Sequence, residues 1–112
     1  DSACSILQVT DVKSGSVNDL ITPGRNLKIS GNKIKVAGDN PNNGVFFVNS
    51  TTQERVVVES NDMVTNNPSE LIIVIPDLAS GTYTLEVLTQ FSGTQMLKEP
   101  RMASFDKILT VQ

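Results

Sequence analysis

An all-β sandwich is the fold this sequence predicts, and three observations predict it. Apolar residues recur with a period close to two almost everywhere and rarely with a period of 3.6. Turn residues punctuate the chain at about the 8–12-residue spacing of a two-sheet domain. The third observation is the run from Leu71 to Val87, which reads as buried strand, proline stop, glycine turn and a strand carrying the chain's single tyrosine. Tyr83 follows Gly81 by two residues and precedes Leu85 by two, the placement of a tyrosine corner, whose ring packs inside while its hydroxyl bonds back to the turn between sheets. The predicted class is therefore an immunoglobulin-like β-sandwich of about seven or eight antiparallel strands.

The elements follow in order. Ser5 to Val12 suits a first strand, with Ile6 or Leu7 and Val9 inward, and Ser14-Gly15-Ser16 breaks it. Thr22-Pro23-Gly24 is a turn. Asn26 to Ser30 and Lys33 to Ala37 flank Gly31-Asn32 and predict a hairpin, because Gly and Asn tolerate the positive φ of a tight turn. In that hairpin Leu27, Ile29, Ile34 and Val36 face one way and Lys28, Lys33 and Lys35 the other. Gly38 to Gly44 is a loop. Val45 to Val48 and Glu54 to Glu59 are strands, Asn61 to Glu70 a loop with a short strand at Met63-Val64, and Leu71 to Ile75 a buried strand. Thr82 to Phe91 is a long strand, and Ala103 to Val111, entered through Pro100, is the last.

At 112 residues the chain has room for one domain. We expect residues 1–112 to form it, with 1–22 holding the first strand and a linker. The start at Asp1, without a methionine, suggests either a processed chain or a segment cut from a longer protein, and we favour the segment. Cys4 is the only cysteine, so no internal disulfide can form and packing must join the sheets. Ser2-Ala3-Cys4 faintly resembles a lipoprotein cleavage site, but the apolar segment before it is missing and Asp1 stands where an aliphatic residue belongs. A buried or terminal cysteine is the plainer expectation.

Several function classes lose ground. There is no histidine, so neither the cysteine nor the serines have an imidazole to activate them, and no catalytic residue is predicted. Carboxylates such as Asp39, Asp62 and Asp77 sit in or beside turns, where Asp commonly bonds the local backbone. Asp39 to Gly44 resembles the start of a calcium loop, yet Pro41 replaces a ligand and Ser50 stands at the twelfth position. No metal and no cofactor are expected. A net charge of −3 argues against broad attraction to nucleic acid or anionic membrane, and no run is long and apolar enough for a membrane helix.

Two groups of residues remain as candidates. Ile72 and Val74 alternate with the core residues Leu71, Ile73 and Ile75, and Phe46 neighbours Phe47, so apolar side chains point away from the core and make a candidate interface. Arg25, Lys28, Lys33 and Lys35 concentrate on the outer face of the predicted hairpin and make a candidate weak DNA contact, although no aromatic is interleaved for base stacking.

Finally, Pro23 to Gly31, Gly44 to Asn49, Asn66 to Leu71, Thr89-Gln90-Phe91 and Lys98 to Arg101 resemble a bacterial family of uncharacterised Ig-like C-terminal domains. More distantly, the Tyr83 turn is similar to Ig-like domains of the IPT/TIG class. The resemblance implies that the domain follows an HU-like DNA-binding domain, which would carry the DNA affinity; none of that part's DNA-contacting residues falls in this chain. It also implies a cytoplasmic, nucleoid-associated place in preference to the cell surface. Three readings follow. The first is an accessory module for interdomain contact, protein partners or self-association. The second is a surface adhesion or carbohydrate-binding module. The third is direct DNA contact through the lysines.

Overall fold

Nine strands make up the computed structural model, which describes residues 3–112. In chain order they are β1 (Ser5–Asp11), β2 (Asn26–Asn32), β3 (Gly44–Asn49), β4 (Arg55–Val57), β5 (Met63–Asn66), β6 (Glu70–Val74), β7 (Gly81–Phe91), β8 (Met96–Ser104) and β9 (Leu109–Val111), with a 3-10 turn at Ser60–Asp62. One antiparallel sheet has the order β1-β2-β6-β5; the other has the order β4-β3-β7-β8, with β9 also paired to β7. Lettered along the chain, these are the ABED and C′CFG sheets of an immunoglobulin-like sandwich.

Strict alternation builds the core. Leu27, Ile29, Leu71 and Ile73 from one sheet meet Val45, Phe47, Leu85 and Val87 from the other, all fully buried. The two apolar inward residues of β1, Ile6 and Val9, are an odd number of positions apart. A bulge reconciles them, because the register against β2 slips between Ile6 and Gln8 and turns Leu7 out to 60% exposure. Cys4 is buried in the same core. A lipid-bearing sulfur would have to leave that packing; the Ser2 position of the cleavage-like motif lies outside the described residues.

The tyrosine corner forms as expected. Tyr83 is buried, and its hydroxyl donates to the Ala79 carbonyl at 2.7 Å. This bond ties the start of β7 to the connection from β6.

Three expectations need correction. First, the hairpin at Gly31-Asn32 does not form. Both residues lie inside β2, which pairs with β1 and β6. Gly31 is needed for close approach, since a Cβ there would collide with the Ser5 carbonyl oxygen. The positive φ falls instead on Lys33 (56°), and residues 33–37 leave the sheet without becoming a strand. Second, β8 begins at Met96, so Pro100 lies within it, and the register against β7 shifts between Thr89 and Phe91. Third, the final strand is two strands. The break at 105–108 lets buried Phe105 donate its N–H to the Leu85 carbonyl at 2.9 Å before β9 pairs with the start of β7.

Candidate functional site

Residues 33–44 carry the chain from one sheet to the other, and side chains from both sheets hold them. Asn66, in β5, accepts from the Val36 N–H at 2.8 Å and donates to the Val36 carbonyl at 2.9 Å. Thr89, in β7, donates its hydroxyl to the Lys35 carbonyl at 2.6 Å and accepts from the Ala37 N–H at 3.0 Å. Gln90 accepts from the Asn40 N–H and from the Asn43 amide, each at 2.9 Å, and donates to the Leu97 carbonyl at 2.8 Å. Backbone bonds from Ile34 to Pro68 and from Gly31 to Ser69 complete the clamp. Thr89 and Gln90 are buried, and they pair backbone groups of the crossover that no strand partner reaches. Thus the segments Asn66 to Leu71 and Thr89-Gln90-Phe91 hold the crossover. The signal for Thr89 was a polar residue in the inward series Tyr83, Leu85, Val87.

A second polar anchor also escaped the sequence reading. Asp11 is fully buried at the end of β1. Its carboxylate accepts from the Ser14 hydroxyl at 2.6 Å and from the Thr22 hydroxyl at 2.7 Å. It thereby pins both ends of the segment between β1 and β2.

The candidate interface residues do not lie together. Ile72 and Val74 occupy the outer face of the β1-β2-β6-β5 sheet, half-buried, in register with Lys28 and Asn26 of β2. Phe46 lies on the outer face of the opposite sheet. Its ring covers Gly44, coming within 3.7 Å of where a Cβ would stand, and the Arg55 guanidinium sits 4.5 Å from its centroid. Arg55 is held in turn by Glu86 at 2.7 Å. Phe46 is opposite Val57 on one side and Glu86 on the other, while Leu88 is opposite Gly44 and Met102, so Val57-Phe46 and Leu88-Met102 are two apolar pairs in adjacent rows of this face, with Glu86 in the first row.

The basic residues are dispersed as well. Arg25 is exposed just before β2, and Lys28 is exposed in its middle. Lys33 and Lys35 are half-buried in the crossover. Lys35 lies 5.9 Å from the Phe91 ring, and Lys33 approaches Gly93. The lysine-faced ribbon therefore does not exist, because its second strand is the crossover. Between the β4 and β5 edges lies a half-open cleft of about 370 Å³, lined by Val36, Val58, Met63, Asn43 and Asn66. Among the described residues, no three His, Cys, Asp or Glu side chains gather as a metal site.

This strand order and tyrosine corner define an immunoglobulin-like domain. Residues 5–103 match the family described as a domain of unknown function (DUF4469) with Ig-like fold, and the chain belongs to that family. It is similar to a crystal structure from Bacteroides vulgatus, described as a candidate bacterial DNA-binding protein. The two share 32% identity and a TM-score of 0.90, over 96% of this chain and 47% of that one. This chain thus spans about half the length of that relative. A comparison with curated proteins gives no match.

Proposed function

We propose that this domain is a non-catalytic contact module of a longer, HU-like DNA-binding protein. Residues 1–112 would form its C-terminal part, acting at the nucleoid in the cytoplasm. The carrying observation is that both sheets turn apolar side chains away from the core: Phe46, Leu88 and Met102 on one, Ile72 and Val74 on the other. A one-sided sheet in water carries polar residues there. The similarity to a candidate DNA-binding protein about twice as long supports placing the DNA affinity elsewhere in the parent chain. The dispersal of Arg25, Lys28, Lys33 and Lys35 agrees with that division.

A titration of labelled duplex DNA at low and at physiological salt tests the reading. The isolated domain is expected to leave the duplex unbound in both. The native longer polypeptide is expected to bind with an affinity that falls steeply with salt. Salt-sensitive binding by the isolated domain would return the DNA contact to this module.

A further inference from the structure

We infer that Asn43-Gly44 is a site of spontaneous deamidation that the crossover clamp protects, and that its conversion unlatches the crossover. It is the only Asn-Gly pair in the chain. Asparagine is a thermolabile residue, and a following glycine, having no side chain, leaves its own backbone nitrogen open to the asparagine amide. The only co-reactant is water. The Gly44 nitrogen attacks Cγ of Asn43 and gives its proton to solvent. The Cγ–Nδ2 bond then breaks, ammonia leaves, and water opens the cyclic imide to aspartate or isoaspartate.

The fold opposes ring closure at both ends of the amide. Closure requires the Asn43 side chain to turn onto its own backbone, but Nδ2 donates to the Ala37 carbonyl at 3.0 Å and to Gln90 Oε1 at 2.9 Å. Gln90 is itself fixed, because its Nε2 donates to the Leu97 carbonyl at 2.8 Å and its Oε1 also accepts the Asn40 N–H at 2.9 Å. Asn43 Oδ1 is buried and meets no donor among the described residues, so the oxyanion of the tetrahedral intermediate would form there without stabilisation. The same contacts reject the product. A carboxylate only accepts, and at Asn43 it would face two acceptors, the Ala37 carbonyl and Gln90 Oε1. Such a charge is driven toward water, and the tie between the crossover and β7 is lost with it. An isoaspartate would in addition lengthen the main chain by one carbon immediately before β3.

Mass spectrometry of the tryptic peptide covering residues 36–55, fragmented to locate the converted amide, tests this in mildly alkaline buffer. Conversion at Asn43 should run at least about tenfold more slowly in the folded chain than in the urea-unfolded chain, because it waits for local opening. Gln90→Ala, read at a temperature where circular dichroism shows it folded, should speed conversion at least about threefold by freeing the amide. If that variant does not fold, the natural chain in urea below its unfolding midpoint replaces it, and conversion should rise before global unfolding begins. Asn43→Asp should lower the thermal midpoint, whereas Asn42→Asp, which adds the same charge at the exposed neighbouring position, should leave it in place. Equal rates in folded and unfolded chains overturn the protection, as does a Gln90 variant no faster than the natural chain. Equal midpoints for the two aspartate variants overturn the unlatching.

Discussion

At the start of β7, Tyr83 closes a bond to Ala79, four residues upstream; at its end, Thr89 reaches Lys35 and Ala37, more than fifty residues away. The two ends of one strand thus do different work. The tyrosine corner settles how the chain turns from one sheet into the next, and adjacent residues suffice to build it. The Thr89–Gln90 clamp settles where the crossover lies, and it exists only once both sheets are in place. Local ties shape a connection, whereas distant ties fix the two layers against each other.

Substitutions can break that contrast, and the largest effect is expected at the clamp. Gly38 has a φ of 112°, and a Cβ there would collide with the Gln90 side-chain amide. Gly38→Ala should cost about 2–3 kcal/mol from backbone strain alone, read as a lower urea midpoint with an unchanged slope. Thr89→Val keeps the shape but leaves the Lys35 carbonyl and the Ala37 N–H unpartnered; roughly 1–3 kcal/mol is expected for such orphaned groups. Combining it with Asn66→Ala sharpens the point, because both side chains hold residues 35–37. The double mutant should depart from additivity by about 0.5 kcal/mol or more, and strict additivity would mean that the two ties act separately. Tyr83→Phe removes one bond to one carbonyl and should cost least, roughly 0.5–1.5 kcal/mol. A corner variant less stable than the clamp variant would reverse the ranking.

The same contrast explains what the sequence made legible. Inward and outward positions in β2, β6 and β7 follow from alternation, so Leu27, Leu71 and Leu85 were readable as core and Ile72 as outward. The tyrosine corner was readable because its parts are neighbours. The misread hairpin came from a glycine whose constraint is nonlocal: Gly31 faces Ser5 on another strand. Phe46 and Ile72 were grouped because both point away from the core, but alternation within a strand does not say which sheet the strand joins. They lie on opposite sides of the molecule. Thr89, Gln90 and Asp11 were missed because their partners are set by tertiary position.

The burial of Cys4 makes the chain its own stability gauge. A thiol 6% exposed beside the first strand meets an alkylating reagent chiefly when that edge opens. Because it is the only thiol, its labelling kinetics report a single opening event with no competing site. Where reclosing outpaces labelling, the rate measures the free energy of that opening in native buffer, without denaturant or an introduced probe.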